Sequence, residues 1–208
     1  IIGYLDIVTN KTLGDNEEQY NKYLNSSIDR AGALRDLVND LLNISRMETG
    51  TVRKEIVTVD LKEIGEEILE FFENEIKQQK LKTEFYLEES CFVEADKEEI
   101  RRIFTNLISN AIKYNRPEGQ LDVEVKKVGN QAKIKISDTG IGMKPEETER
   151  LFQEFFRAKN KLTRNISGTG LGLSVSYFTI TENHQGTLDV LSEPGKGANF
   201  IIQLPLKR

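Results

Sequence analysis

The chain has 208 residues, 38% of them hydrophobic and 30% charged, and this composition excludes an intrinsically disordered protein. Its 29 basic and 34 acidic residues leave a net charge of −5, which excludes a general electrostatic attraction to nucleic acid or to an anionic membrane surface. One cysteine and one histidine exclude an internal disulfide framework and a zinc site built from several such ligands.

The first helical pattern lies at the start of the chain. Residues 1–8 predict the end of a helix that stops near Gly14. Asp15 or Asn16 can cap the helix that follows, because short polar side chains accept hydrogen bonds from the free amides of a helix start. Glu18 is the expected capping-box partner of Asp15.

The second helical pattern is a heptad seam between Tyr20 and Ser45, where apolar or small residues recur in alternating steps of four and three. Two helices joined by a short turn predict an antiparallel hairpin. The apolar face is wider than one hairpin can cover, so we expect a homodimer in which two hairpins form a four-helix bundle. The alternative is a helical pair that docks on its own neighbouring domain.

Beyond a short linker at Gly50, the pattern changes to short strands and helices. The predicted elements are, in chain order, a strand at 55–59, a helix at 61–79, a strand at 82–87, a helix capped by Asp96, strands at 121–125 and 132–136 joined through Gly129-Asn130, a helical stretch near 146–152, a helix at 169–182, and strands at 187–191 and 199–204. Helices against one face of a mixed, mostly antiparallel sheet make an α+β domain, a two-layer α/β sandwich. We therefore predict two domains, at residues 1–50 and 51–208.

A polar face on the helix after Asp96 is the first candidate for chemistry. Asn106, Asn110 and Lys113 are four and three residues apart and therefore share one side of the helix. Amide oxygens are suitable ligands for Mg²⁺, and a nearby lysine can neutralise phosphate oxygens. The alternative is an ordinary solvated helix face.

A second candidate is the turn that follows the strand at 132–136. Asp138 is followed by Gly140 and Gly142, which allow a tight turn and the close approach of a flat ligand to the backbone. A buried carboxylate at a strand end can accept a hydrogen bond from an exocyclic amine such as that of adenine. The alternative is a simple turn after a strand.

Two further segments flank a long loop that is rich in glycine, asparagine, lysine and threonine. The segment 168–173 opens a helix with alternating glycines, and the free amides of a helix start attract anions. It is neither a dinucleotide-binding fingerprint nor a P-loop. In the aromatic segment before it, Phe152 and Phe155 are expected to hold the loop onto the core, whereas Arg157 could reach a terminal phosphate.

Taken in order, these four segments resemble the N, G1, F and G2 boxes of sensor histidine kinases. Those kinases belong to the wider ATP-binding superfamily of gyrase, the ninety-kilodalton heat-shock chaperones and the MutL proteins. The aromatic segment and the preceding hairpin are typical of the kinases, and the resemblance extends over nearly the whole chain. It implies the Bergerat ATP-binding fold for the second domain, and a dimerisation and histidine-phosphotransfer hairpin, present in part, for the first.

The resemblance also implies roles for individual residues. Asn110 would be the main Mg²⁺ ligand with Asn106 assisting, Asp138 would read adenine, and Arg157 would contact the γ-phosphate. Asn110, Lys113 and Arg157 would form the catalytic set. The implied nucleotide-binding residues are Asn106, Asn110, Lys113, Tyr114, Asp138, Gly140, Gly142, Met143, Phe156, Arg157, Gly168, Thr169, Gly170, Leu171, Gly172 and Leu173. Residues 143–168 would form a mobile lid over ATP.

Four positions need an interpretation of their own beside the resemblance. Ala198 stands where a glycine box of the family commonly has serine or threonine, which should weaken a water-bridged contact to the base without abolishing binding. The phosphoacceptor histidine is expected roughly two helical turns upstream of Ile1. His184 is interpreted as a helix terminus and not as that acceptor, and Cys91 as a buried structural residue.

These observations predict the catalytic core of a sensor histidine kinase that uses ATP and Mg²⁺. Its phosphoryl group would pass from a hairpin histidine to an aspartate in the receiver domain of a response regulator. We expect a cytoplasmic location, with the full-length protein anchored in a membrane that this part does not touch. The alternatives are a non-catalytic, ATP-gated interaction module and a gyrase-like or chaperone-like ATPase. The ATPase is disfavoured because the nearest acid, Glu99, is expected to face away from the site.

Overall fold

A computed structural model describes residues 1–10, 12, 14, 16–49, 54–88, 91–158, 163 and 168–207. Among these, residues 1–49 lie in one compact unit, and residues 54–158 with 170–207 lie in a second. The predicted linker at Gly50 and the predicted capping box of Asp15 fall outside the described residues.

The first unit is the expected helical hairpin. Helix α1 spans Ile2–Thr9 and helix α2 spans Glu17–Thr49. Asn16 caps α2, because its side-chain oxygen accepts a hydrogen bond from the backbone amide of Gln19 at 3.1 Å. The two helices meet at Tyr4 and Tyr23, whose ring centres are 5.1 Å apart. A contact between two half-buried aromatic rings therefore joins the two helices.

This hairpin leaves large apolar side chains in solvent, among them Ile1, Ile2, Leu5, Ile28, Leu34, Val38, Leu41 and Leu42. On α2, the last four of these recur at helical spacing and form an apolar stripe along one side of the helix, of the kind that marks an interaction site. In the part of the chain that the structure describes, no helix has the length and apolar character needed to cross a membrane.

The second unit is the α+β domain predicted from the sequence. Its helices are α3 (Leu61–Phe71), α4 (Glu73–Gln78), α5 (Lys97–Lys113), α6 (Pro145–Thr148) and α7 (Gly172–Phe178), and a π-helical turn (Thr179–Asn183) continues α7. Its strands are β1 (Ile56–Asp60), β2 (Lys82–Leu87), β3 (Phe92–Asp96), β4 (Gln120–Val128), β5 (Gln131–Asp138), β6 (Thr187–Glu193) and β7 (Gly197–Pro205).

Four details differ from the sequence prediction. The helix expected at 61–79 is broken at Phe72, and β3 was not predicted. The helix near 146–152 is a single turn that begins at Pro145, because proline is well suited to the first position of a helix. The last helix begins at Gly172 and not at Thr169, and it ends as a π-helical turn.

The main sheet has five strands in the order β2-β4-β5-β7-β6, and β1 pairs with β3 in a separate ribbon. Only β2 and β4 of the five run parallel, and the other neighbours are antiparallel. Strand residues alternate between buried and half-exposed, so that one face of the sheet packs against the helices. Helix α5 lies on this face, and its apolar side is fully buried in the core.

Candidate active site

Helix α5 presents its polar side chains on the side that its apolar residues leave free. Asp96 caps the helix by accepting hydrogen bonds from the amides of Glu98 and Glu99, as predicted. Further along, Asn110 donates from Nδ2 to Oδ1 of Asn106 over 3.3 Å. Since the Asn110 amide nitrogen is occupied in this way, its own oxygen remains available as an acceptor.

At the end of α5, Lys113 and Tyr114 lie beside each other. The Lys113 ammonium is 5.5 Å from the centre of the Tyr114 ring, within the range of a cation–π interaction. The carbonyl oxygen of Tyr114 accepts a hydrogen bond from the backbone amide of Ile141 at 3.1 Å. The helix end is thereby joined to the turn that follows β5.

Asp138 ends β5 and is buried, with 8% of its surface exposed. Its Oδ1 accepts hydrogen bonds from the amides of Gly140 at 2.8 Å and Ala198 at 3.3 Å. Burial raises the pKa of Asp138 from 3.8 to about 6, although the two backbone hydrogen bonds act in the opposite direction. Because both bonds use Oδ1, the second carboxylate oxygen can serve an amine of a ligand.

The turn after Asp138 is fixed from the opposite side by the hairpin that joins β6 to β7. The amide of Gly195 donates to the carbonyl of Ile141 at 2.8 Å. Gly142 has a φ of +61°, and a Cβ atom there would lie 1.9 Å from the carbonyl oxygen of Glu193. Any side chain at Gly142 would therefore both strain the backbone and push the hairpin away.

Ser192 adds a side-chain link between the same two segments. Its hydroxyl accepts a hydrogen bond from the amide of Met143 at 2.9 Å and donates to the carbonyl of Gly197 at 2.7 Å. One hydroxyl thus connects the last residue of the turn to the first residue of β7. Met143 also packs against the hydrophobic core.

The aromatic segment after α6 divides into an anchored part and an exposed part. The Phe152 ring stacks on Tyr177 with 4.8 Å between ring centres, as the core-anchoring hypothesis requires. The same hypothesis is wrong for Phe155, which is 59% exposed and has a φ of +60°. Arg150 lies over the ring of Phe156, so this ring is held locally.

Arg157 follows this segment and lines an open cavity of about 520 Å³ together with Glu146, Glu154 and Phe155. Gly170 lies against the same segment, since a Cβ atom placed on it would come within 3.1 Å of Arg157 Cγ. This close approach brings the glycine-rich segment and the cationic residue into one neighbourhood.

The remaining glycine-rich residues connect this neighbourhood to α5. Leu171 is fully buried, and Leu173 packs against the core. A Cβ atom on Gly172 would lie 2.5 Å from Oδ1 of Asn106. Gly168 and Thr169 precede α7 without belonging to a helix.

The described contacts therefore join the four sequence segments in pairs. Helix α5 meets the Asp138 turn through Tyr114 and meets α7 through Asn106, and the glycine-rich segment meets the aromatic one through Gly170. Sequence reasoning missed Ser176, which accepts a hydrogen bond from Asn106, and Ser192. The signal for Ser176 was a polar residue on the buried side of a helix; no sequence signal pointed to Ser192.

Three residues discussed from the sequence, His184, Glu99 and Cys91, lie outside these segments. His184 follows the π-helical turn, as expected for a helix terminus, and its Nε2 is 2.8 Å from Oε2 of Glu99. Glu99 also accepts a hydrogen bond from Asn183, so both of its carboxylate oxygens lie against residues 183 and 184 at the end of the last helix. Cys91 is fully buried, and this burial raises its pKa to about 11.

The donor set on α5 fits a hard divalent cation. An asparagine oxygen ligates Mg²⁺ through a neutral carbonyl dipole, and Mg²⁺ usually takes few protein ligands and completes its shell with water and phosphate oxygens. Asn110 has its nitrogen engaged and its oxygen free for that purpose. Lys113, one turn further along, would place a positive charge near the same phosphates.

Comparison with known proteins gives a consistent result. Residues 95–208 match the family described as histidine kinase-, DNA gyrase B-, and HSP90-like ATPase. Among curated proteins, the sensor protein kinase WalK of Staphylococcus haemolyticus is 36% identical over 176 residues, which is 81% of this chain and 28% of that protein. The chain spans about a quarter to two fifths of the length of the curated relatives that it matches.

Solved structures resemble the chain in fold. The histidine kinase AdeS of Acinetobacter baumannii is 28% identical with a TM-score of 0.76, over 99% of this chain and 93% of that one. The histidine kinase ThkA, in complex with the response regulator protein TrrA, is 24% identical with a TM-score of 0.75, over 98% of this chain and 58% of that one. AdeS covers the helical hairpin as well as the α+β domain.

Proposed function

Because the chain belongs to the histidine kinase-, DNA gyrase B-, and HSP90-like ATPase family and carries the ATP-binding domain of a sensor histidine kinase, we propose that it transfers the γ-phosphoryl group of Mg-ATP to a histidine. The accepting histidine would lie upstream of Ile1, on the same hairpin. The phosphoryl group would then pass to an aspartate in the receiver domain of a response regulator.

Adenine recognition is assigned to the turn at Asp138. The observation that carries the proposal is a buried carboxylate with one oxygen held by two backbone amides and the other available to the exocyclic amine. Gly140, Gly142 and Met143 would line the base, because they continue the turn from this carboxylate. A base held here would lie beside the end of α5, where Lys113 and Tyr114 would contact the phosphates and the sugar.

Charge neutralisation is assigned to α5 and the glycine-rich side of the site. Mg²⁺ bound by Asn110 would offset charge on the phosphate oxygens, and Asn106 would support it. Lys113 and Arg157 would add positive charge near the transferring group. Phe156 would position Arg157, and the segment 168–173 would present backbone amides to the phosphates.

The transfer itself requires few protein groups. A neutral imidazole nitrogen attacks the γ-phosphorus, the bond from phosphorus to the β–γ bridging oxygen breaks, and ADP leaves. Catalysis is then mostly positioning and electrostatic stabilisation, because phosphoryl transfer needs little covalent participation by the enzyme. Arg157 is the residue of this chain that would stabilise the charge on the γ-phosphoryl oxygens as the bond breaks.

The domain roles follow from the same proposal. Residues 1–50 would be part of the dimerisation and histidine-phosphotransfer hairpin, and residues 51–208 the catalytic domain. The exposed apolar stripe on the hairpin would be covered by the hairpin of a second copy, giving a four-helix bundle. The response regulator would be the second protein partner, and the full-length protein would be a membrane-anchored sensor with this part in the cytoplasm.

A comparison of two chains tests the transfer. The chain itself should bind Mg-ATP by calorimetry but acquire no acid-labile phosphate from γ-labelled ATP. The same chain extended upstream through its natural sequence should acquire it on the added histidine. Nucleotide binding without any transfer by the extended chain would instead support the non-catalytic interaction module. Acid-labile phosphate on His184 would contradict the assignment of the acceptor.

A further inference from the structure

A buried serine lies behind the asparagine face of α5. Ser176 is on α7, is 2% exposed, and accepts a hydrogen bond from Nδ2 of Asn106 at 2.9 Å. Asn106 in turn accepts from Nδ2 of Asn110 at 3.3 Å. Three side chains from two helices therefore form one hydrogen-bonded row that ends at the proposed Mg²⁺ ligand.

The row has a direction. An asparagine amide donates on one side and accepts on the other, and a half-turn of the planar group exchanges the two sides. Because the nitrogen of Asn106 is engaged by Ser176, its oxygen is the atom that faces Asn110. Asn110 consequently turns its nitrogen towards Asn106 and its oxygen away, and only the oxygen can ligate a cation.

Asn106 has little space in which to leave this row. Gly172 lies directly against its amide, where a Cβ atom would be 2.5 Å from Oδ1 and 3.3 Å from Nδ2. The absence of a side chain at position 172 is thus what lets Asn106 reach Ser176 and Asn110 together. With both polar atoms of its amide engaged within the protein, Asn106 is poorly suited to ligate the cation itself.

From this arrangement, which rests on the proposed function, we infer that Ser176 is a positioning residue for Mg²⁺. It holds the Asn106 amide in the place from which Asn106 accepts the hydrogen bond of Asn110, and Asn106 acts in the row and not as a direct ligand. Without the hydroxyl, Nδ2 of Asn106 loses its partner on α7, and the Asn106 side chain is no longer held against Asn110. Asn110 would then lose the hydrogen bond that turns its oxygen away from Asn106, and this oxygen would be presented to the cation less often.

The test is the Mg²⁺ concentration that the chain needs to bind ATP, measured by calorimetry at a series of Mg²⁺ concentrations. Ser176→Ala is expected to raise this concentration about tenfold, the lower end of what the loss of a supporting hydrogen bond costs a metal site. Its affinity for ADP in EDTA should equal that of wild type, because the Asp138 turn does not depend on the row. That metal-free measurement also shows that the variant is folded.

Two variants serve as controls. Ser174→Ala removes a hydroxyl from the same helix that donates to the carbonyl of Leu171 at 2.8 Å, and it should leave the Mg²⁺ requirement unchanged. Ser176→Thr keeps the hydroxyl and should remain within about twofold of wild type. A threonine variant that falls as far as the alanine variant would show that the hydroxyl is not responsible.

The outcomes separate the inference from the proposed function. If wild type requires Mg²⁺ and Ser176→Ala requires no more of it, the inference is wrong and the proposed function stands. If the affinity of Ser176→Ala for ADP in EDTA falls by as large a factor as its Mg²⁺ requirement rises, Ser176 acts only in packing, and the inference is again overturned. If wild-type binding shows no dependence on Mg²⁺, both are overturned together.

Discussion

The turn at residues 138–143 is held mainly by backbone groups, whereas the row of Ser176, Asn106 and Asn110 depends on side chains. The turn receives hydrogen bonds or close contacts from the carbonyl of Tyr114, the carbonyl of Glu193 and the amide of Gly195. On the phosphate side, the row of Ser176, Asn106 and Asn110 consists entirely of side-chain contacts.

The turn, which is held by backbone contacts, and the row, which is held by side-chain contacts, should respond differently to substitution. A backbone contact does not depend on the side chain of the residue that makes it, so the turn is sensitive only at the few positions where a glycine or the proposed ligand-binding carboxylate is required. A row of side chains is sensitive at every member, because each amide or hydroxyl holds the next side chain in place. Changes in the turn should therefore affect nucleotide binding as a whole, and changes in the row should affect its metal dependence.

The largest expected effect is that of Asp138→Asn. An amide presents a nitrogen donor or a weaker acceptor to the exocyclic amine, so ATP affinity should fall by at least about 100-fold, with or without Mg²⁺. Calorimetric titration measures this loss. Asp122→Asn, on the half-exposed face of β4, is the matched control and should bind as wild type. Unchanged affinity in Asp138→Asn would remove the adenine assignment.

The same Asp138 variant should be more stable than wild type at pH 7. The pKa of Asp138 is raised in the folded protein, so its charged form opposes folding; this penalty is absent below about pH 4 and complete above about pH 6. A neutral asparagine avoids it, which should stabilise the variant by about 3 kcal/mol. A higher unfolding temperature would show that lost binding in Asp138→Asn does not come from lost structure.

Asn110→Ala should have the next largest effect, and only in the presence of the metal. Loss of the ligand oxygen is expected to raise the Mg²⁺ concentration required for ATP binding by about 30-fold. ADP affinity in EDTA should stay at the wild-type value, which distinguishes this variant from Asp138→Asn. Ser109→Ala, the adjacent position on α5, is the control. An unchanged Mg²⁺ requirement in Asn110→Ala would argue against Asn110 as the ligand.

The smallest expected effect is that of pH on the base side of the site. With the pKa of Asp138 at about 6, most of the carboxylate is protonated at pH 5, and ATP affinity should fall about tenfold between pH 7 and pH 5. An NMR titration of the Asp138 carboxyl carbon in the nucleotide-free protein distinguishes protonation of Asp138 from protonation of the ATP phosphates. A midpoint near 3.8 would contradict the expected burial effect.

Periodicity in the sequence was sufficient for the elements with long, regular patterns. The heptad seam and the apolar face of α5 predicted their helices, and alternation predicted β4 and β5. Strand β3 was missed because only Val93 and Ala95 are buried, too short a pattern to register. The break at Phe72 was missed because Glu73 and Ile76 continue the helical pattern across it.

The candidate site likewise has residues that local sequence patterns predict and contacts that they do not predict. The order of the motifs pointed to Asn110, Asp138 and the glycines, because each motif is local in the chain. The reason that position 142 requires glycine lies at Glu193, fifty-one residues later, and the partner of Asn106 lies on another helix. Contacts of this kind depend on the sheet order and on helix packing, so local patterns could not predict them.

The position of β7 has a consequence for the way this protein is made. Strand β7 follows all the other strands in the chain, yet it lies between β5 and β6 in the sheet, and its first residues hold Asp138 and the neighbouring turn. A ribosome that has not yet released β7 therefore leaves one edge of β5 unpaired and the proposed base pocket without its second wall. During synthesis, the ability to bind nucleotide should arise in a single step, when β7 takes its place in the sheet.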